Sequence, residues 1–207
     1  MRAVRFETTG GPEVLQSVEV DTPEPRPGQV RVRHEAIGIN FIDTYHRTGL
    51  YPVKLPCTPG GEAAGVVEAL GEGVTSLKIG DRVAYCGGFG AYAEANVVAA
   101  DRAVKLPDAI DARTAAAILL KGMTTEAFVR RTYPVQAGEA VLVHAAVGGV
   151  GQIMTQWLKA IGAEVIATVG SAQKAARARE LGADHVILYR EQDVAAEVRR
   201  ITNGRGV

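Results

Sequence analysis

The sequence predicts a two-part α/β chain, with an all-β first part folded as a compact, partly open barrel and a second part forming the first half of a doubly wound parallel sheet. Three observations carry this expectation. Residues 1 to about 110 hold short strand-like runs separated by Gly, Pro and Asp turns. From residue 141 onward, strand-like and helix-like segments alternate three times, the pattern of parallel strands joined by crossover helices. The first of those strands meets its helix through Ala146-Val147-Gly148-Gly149-Val150-Gly151, a glycine-rich turn.

In the first part, strands are expected at 3–6, 15–20, 30–37, 65–70, 82–85, 91–98 and 103–105. Their separators include Thr9-Gly10-Gly11-Pro12, the proline run at 23–28, Leu70-Gly71-Glu72-Gly73 and Lys78-Ile79-Gly80-Asp81. Pro107-Asp108 marks a change of texture, so the domains divide as 1–110 and 111–207. An alanine-rich stretch with helical spacing follows at 114–133 and ends at Pro134.

The second part opens with Val141, Leu142 and Val143, an apolar run suited to a parallel strand buried on both faces. From Val150, the residues Ile153, Met154, Trp157, Leu158 and Ile161 fall three or four apart, so the glycines open an amphipathic helix, which Gly162 is placed to end. A strand at 164–169, a helix at 172–181, a strand at 185–189 and a helix around Val194, Val198 and Ile201 complete the alternation. The given sequence stops at Gly204-Arg205-Gly206-Val207, where a fourth strand is expected. That leaves the strand at Val141 as a sheet edge, and a fragment of a longer protein is one reading of it.

The turn is a form of G-x-G-x-x-G with alanine first: Gly148 and Gly149 let backbone approach a pyrophosphate, Gly151 lets the helix lie close to the strand, and the helix N-terminus offers N–H groups to a phosphate. This is the dinucleotide-binding, Rossmann-type arrangement. At the end of the next strand, about 20 residues on, NAD enzymes place an acid on the ribose 2′-hydroxyl. Here the residues are Gly170-Ser171-Ala172-Gln173-Lys174, with no carboxylate, and a hydroxyl and an ammonium suit a 2′-phosphate. The expected cofactor is therefore NADPH. The competing reading makes Ser171 only a helix cap and Lys174 only a solvated first-turn residue.

Composition narrows the class further. The 207 residues carry a formal net charge of +0, with 47% hydrophobic and 22% charged residues, ordinary for a soluble globule and without the basic excess that nucleic-acid binding favours. The N-terminus lacks an apolar signal core and no run approaches the ~18 apolar residues of a membrane span, so a cytoplasmic protein is expected. Cys57 and Cys86 are too few for a disulfide framework or a metal-binding pair, and His34, His46, His144 and His185 have no metal spacing.

GGPEVLQ at 10–16, AIGINFIDTYHRTGLYP at 36–52, GGEAAGVVEALGEGV at 60–74, GDRVAY at 80–85, LKGMTTE at 120–126, HAAVGGVG at 144–151 and GSAQK at 170–174 together resemble the NADPH-dependent quinone oxidoreductases, the zeta-crystallin-like, zinc-free branch of the medium-chain dehydrogenase/reductase superfamily. The resemblance runs over the whole chain. It implies a GroES-like barrel beside a Rossmann domain with the active site between them, a small-molecule quinone substrate, no nucleic-acid or membrane partner, a homodimer, and chains continuing well past residue 207. It leaves as alternatives a reductase of α,β-unsaturated carbonyls and a non-catalytic or truncated NADPH-binding protein.

Zinc relatives with this fold hold their metal through a cysteine and a G-H-E histidine, where this chain resembles them with Asn40 and Gly61, so no metal is expected. Without a Lewis acid, an already electron-poor quinone or enone is the better chemical match than an alcohol or its carbonyl. Position by position, the resemblance implies nicotinamide-side contacts from the loop Asn40, Phe41, Ile42, Asp43, Thr44 and Tyr45, and from Thr124 in Lys121-Gly122-Met123-Thr124. It implies pyrophosphate contacts near Gly149 and Val150, and 2′-phosphate contacts from Gly170, Ser171, Lys174 and Tyr189. Tyr45 and Tyr51 are the candidate proton donors to a quinone oxygen, and anchoring a loop is their alternative role. Thr125, Glu126 and Ala127 depart from the tyrosines some relatives carry there, which alters the expected pocket shape.

Overall fold

The structure, a computed structural model, describes residues 1–207 as two compact units, Met1–Leu120 and Lys121–Val207. In the first, β1 (Arg2–Arg5) and β2 (Gln16–Glu19) form an antiparallel pair. β3 (Gln29–Gly38), β4 (Glu62–Leu70), β5 (Arg82–Cys86), β6 (Ala95–Ala99) and β7 (Val104–Lys105) form an antiparallel sheet in the order β6-β3-β4-β5-β7. Helix α1 (Phe41–Thr48) interrupts the passage from β3 to β4. Val30, Val32, Ala63, Val67, Val83 and Tyr85 alternate inward along the strands to make the main core. On the other face, Ala64 and Ala84 meet Ala115 and Ala116 of α2 (Ala112–Glu126), whose small side chains permit close approach.

The second unit is a three-stranded parallel sheet, β10-β9-β8, built from β8 (Ala140–Val143), β9 (Glu164–Val169) and β10 (His185–Leu188) with α3 (Gly149–Ile161), α4 (Ala172–Glu180) and α5 (Val194–Ile201) between or after them. The centre strand is buried on both faces. Val165, Ala167 and Val169 join Leu158, Ala175 and Ala178 of α3 and α4 in one core, while Ile166 joins Ile187 and Val198 of α5 in another. Helices on opposite faces of a parallel sheet define the doubly wound half-fold that the alternation predicted. β8 has a strand neighbour on one side only.

Several boundaries differ from the sequence expectation, each for a local reason. The segment 40–45 is the start of a helix: the Asp43 carboxylate accepts the Asn40 backbone N–H at 2.9 Å, and Gly49 stops the helix in the left-handed region at φ 81°. The strand expected over 91–98 is reduced to Ala95–Ala99, because the N–H groups of Gly90, Ala91 and Tyr92 turn to the carbonyls of Thr58, Gly60 and Pro59. β4 begins early, since Glu62 pairs with both Gly38 and Cys86. The helix expected to 133 stays α-helical to Glu126 and widens into a π turn over Ala127–Thr132.

Candidate functional site

After β8 the chain makes a tight turn. Ala145 takes a left-handed φ of 50°, and its carbonyl accepts the Gly148 N–H at 2.7 Å. Gly148 then caps α3 with no side chain of its own, and the first intrahelical bond runs from Gln152 N–H to the Gly148 carbonyl at 3.0 Å. The amides of Gly149, Val150 and Gly151 precede that bond, so they form the phosphate-facing end of a 13-residue helix. A Cβ on Gly151 would collide with the Ala145 carbonyl and the Ala146 backbone, which explains why glycine alone lets α3 lie against the turn. A Cβ on Gly149 would stand 3.1 Å from Cδ and Cε of Lys121, so the Lys121 stem lies across this glycine.

At the end of β9, a Cβ on Gly170 would stand 2.6 Å from the Tyr189 hydroxyl oxygen and 3.4 Å from Nε of Arg190. The strand therefore ends in bare backbone with a phenol and a guanidinium over it. Ser171 caps α4: its Oγ accepts the Lys174 N–H at 3.4 Å, leaving its own hydrogen to donate outward. The capping reading of Ser171 is therefore what the structure shows, and the cap does not use its hydroxyl hydrogen. Lys174 and Tyr189 are exposed, and neither side chain makes a hydrogen bond or ion pair. Tyr189 and Arg190 over a side-chain-free floor, with Ser171 and Lys174 following it in the chain at the start of α4, are donors that suit a phosphate ester, and the glycine turn fits a pyrophosphate, so the chain's residues suit a 2′-phosphorylated dinucleotide.

In the first unit, α1 is held by a buried polar chain. Glu62, fully buried at 0% exposure, accepts the Asn40 side-chain amide at 2.8 Å through Oε2 and the Leu120 backbone N–H at 2.8 Å through Oε1. Asp43, also buried, accepts the Tyr92 hydroxyl at 2.9 Å in addition to the Asn40 N–H. Burial, then the bonded Asp43 carboxylate, push the Tyr92 phenol well above its ordinary range, so it remains a donor. Asn40 and Asp43 are accordingly inward-facing anchors of α1. Phe41 and Ile42 lie on the outer side and are exposed, and the Thr44 hydroxyl turns back to the Phe41 carbonyl at 2.6 Å.

Tyr45 and Tyr51 stand together, ring centroids 5.2 Å apart, with Phe41 edge-on to Tyr45 at 5.2 Å. His46 continues the cluster, 6.0 Å from Tyr51 and 4.8 Å from Phe89. The Tyr45 and Tyr51 hydroxyls make no hydrogen bond, so the cluster is an aromatic surface carrying two available O–H donors. Thr124 lies half-buried on α2, beside Thr125, whose hydroxyl bonds back to the Lys121 carbonyl at 2.9 Å. No three His, Cys, Asp or Glu side chains come together as a metal ligand set, and no helix is long and apolar enough to cross a membrane.

Sequence reasoning missed Glu62, Tyr92 and Arg190. A glutamate in a strand of small residues gives no signal of which backbone it will serve, and Tyr92 and Asp43 are far apart in the chain. Arg190 could have been found by its position: it follows Tyr189 at the end of the third parallel strand, where open sheets bind ligands.

The architecture and the two glycine sites define a dinucleotide-binding oxidoreductase fold of two domains. Residues 26–108 match the alcohol dehydrogenase GroES-like domain and residues 149–207 match the zinc-binding dehydrogenase domain. A quinone oxidoreductase of Pseudomonas aeruginosa is 50% identical over 99% of this chain, and a 2-haloacrylate reductase of Burkholderia sp is 45% identical over 96%. The crystal structure of Escherichia coli quinone oxidoreductase complexed with NADPH superimposes with a TM-score of 0.97 at 48% identity, over 99% of this chain and 64% of that one. The chain spans 63% of the length of the Pseudomonas relative and 62% of the Burkholderia one. It belongs with the oxidoreductases built from these two domains, and the relatives it matches along almost its whole length include proteins named quinone oxidoreductase.

Proposed function

We propose that this chain binds NADPH and belongs to an NADPH:quinone oxidoreductase that works without zinc. The observation that carries the proposal is the end of β9, where Gly170 and Ser171 replace a ribose-binding acid and Tyr189 and Lys174 offer donors. When bound, NADPH supplies the reducing equivalents. The amides of Gly149 and Val150 hold the pyrophosphate, and Ser171, Lys174 and Tyr189 hold the 2′-phosphate. Asn40 and Asp43 fix the first turn of α1, which presents Phe41, Ile42, Thr44 and Tyr45 on the nicotinamide side, and Thr124 meets the carboxamide.

Tyr45 and Tyr51 offer the O–H groups that orient a quinone oxygen and deliver its proton, with solvent replenishing them. No metal is invoked, because the Asn40 amide is already bonded to Glu62 and Gly61 has no side chain. The 2-haloacrylate reductase among the relatives favours a second acceptor class, activated alkenes conjugated to a carbonyl. A homodimer accompanies this reading, as the sequence resemblance implies, with a cytoplasmic location, as the lack of an apolar signal core and of a membrane-length apolar run leads one to expect.

The test is titration of NADPH and NADH followed by turnover with a simple quinone and an enone. NADPH binding at least about tenfold tighter than NADH, a difference of ~1.4 kcal/mol, supports the proposal. NADPH binding without turnover would leave a non-catalytic binding protein, and equal binding of both cofactors would overturn the 2′-phosphate assignment.

A further inference from the structure

We propose that Arg190 is a 2′-phosphate ligand of this chain and the residue that contributes most to its discrimination between NADPH and NADH. The inference rests on the NADPH reading above and assigns a residue that neither the glycine motif nor the resemblance supplies. Arg190 follows the last strand of the parallel sheet, and its Nε lies 3.4 Å from the position of a Cβ on Gly170. Its root is therefore at the same bare floor that Tyr189 and Ser171 border. The side chain is exposed and makes no hydrogen bond or ion pair, although acidic Glu191 and Asp193 follow in the chain.

Chemistry separates Arg190 from Lys174. A ribose 2′-phosphate carries about −1.5 to −2 charges and three acceptor oxygens near neutral pH, more than a single ammonium neutralises. A guanidinium gives two parallel N–H groups to such an oxygen pair and loses less freedom per bond than a lysine. Lys174 projects from the first turn of α4 on a flexible stem, whereas Arg190 has its Nε beside Gly170. Tyr189 lies against the same point, so phenol and guanidinium together wall the bare backbone that Ser171 follows in the chain.

The test is calorimetric titration of 2′,5′-ADP and 5′-AMP, which differ only in the 2′-phosphate, against the wild-type chain, Arg190→Gln and Arg190→Lys. Arg190→Gln should weaken 2′,5′-ADP binding by about 10- to 100-fold, as expected for loss of a charge-assisted bidentate contact, and leave 5′-AMP within about twofold. Arg190→Lys should fall between the two. Unchanged 2′,5′-ADP affinity in Arg190→Gln overturns the assignment, as does an equal loss for both nucleotides, which would place Arg190 on the adenine instead. A wild-type chain that itself fails to distinguish the two nucleotides overturns the NADPH reading and this inference with it, so the two failures are told apart by the wild-type titration alone.

Discussion

The Tyr189 hydroxyl occupies the space that any side chain on Gly170 would need, 2.6 Å from the missing Cβ. Tyr189 is half exposed and free to rotate, so a substitution at 170 would displace the phenol more readily than it would disrupt β9. Gly170→Asp should therefore fold normally, move Tyr189 aside and set a carboxylate beside Lys174 and Arg190. NADPH affinity is expected to fall about 100-fold, near 3 kcal/mol, with NADH changed by only a few-fold. Parallel titrations of the two cofactors, with circular dichroism as the folding control, check this; equal losses would mean that the site does not receive the 2′-phosphate.

Lys174→Glu replaces an attractive charge with a repulsive one on the exposed first turn of α4, without touching the cap, because Ser171 binds the backbone of residue 174. NADPH binding should weaken by about 2 kcal/mol, and the effect should shrink as salt is raised. Titration at two ionic strengths is the measurement, and an unchanged NADPH affinity would remove Lys174 from the site.

Glu62→Ala should be the most damaging single change in the first unit. It strips the acceptor from the Asn40 amide and the Leu120 N–H in a fully buried place, at a cost of about 3 kcal/mol. Glu62→Gln keeps one acceptor oxygen and should cost roughly half as much. Denaturant unfolding of the three proteins gives the ranking; an alanine variant as stable as the parent would show that these bonds contribute nothing net.

His34 makes the first unit sensitive to acid. Its Nδ1 lies 2.7 Å from the Ala93 carbonyl and its Nε2 2.9 Å from the Tyr85 hydroxyl, which also receives the Asn96 amide at 3.2 Å. Donation from Nδ1 to the carbonyl leaves Nε2 to accept from Tyr85, so a protonated ring would leave the Tyr85 hydrogen without its acceptor. Burial lowers the His34 pKa from the ordinary 6.5, outweighing the raising effect of the backbone carbonyls, and burial likewise pushes Tyr85 up to about 12. The unfolded chain therefore takes up the proton first: the stability from neutral His34 is complete above 6.5 and is lost as pH falls from there through the lowered folded value. The stability gap between the parent and His34→Gln should narrow as pH falls below 6.5. Urea unfolding at several pH values tests this, and a constant gap would acquit His34.

What the sequence revealed and what it hid follow from the range of the interactions. β9 was legible because four apolar residues and one threonine, Val165 to Val169, need no partner to declare a doubly buried strand. Gly162 was legible as a helix stop because the need for a left-handed residue, here φ 93°, is local. The helix at Phe41 starts on a local cap between Asn40 and Asp43, and what the sequence hid is that Glu62 and Tyr92, distant in the chain, hold those two side chains in place. The Gly170 floor was read as a missing acid, while its real shape depends on Tyr189 and Arg190 arriving from the next strand.

The bond between Asn40 and Glu62 gives residue 40 a structural duty that a metal ligand at the same position would not perform. In the zinc relatives that the sequence resembles, residue 40 would be a cysteine facing the metal; here its amide anchors a helix and satisfies a buried carboxylate. Asn40→Cys would take the amide from buried Glu62 before any metal had bound, so the variant would be less stable than its parent. Residue 40 thus serves as a structural joint, and a joint of this kind acts as a ratchet on the chemistry the scaffold can later acquire.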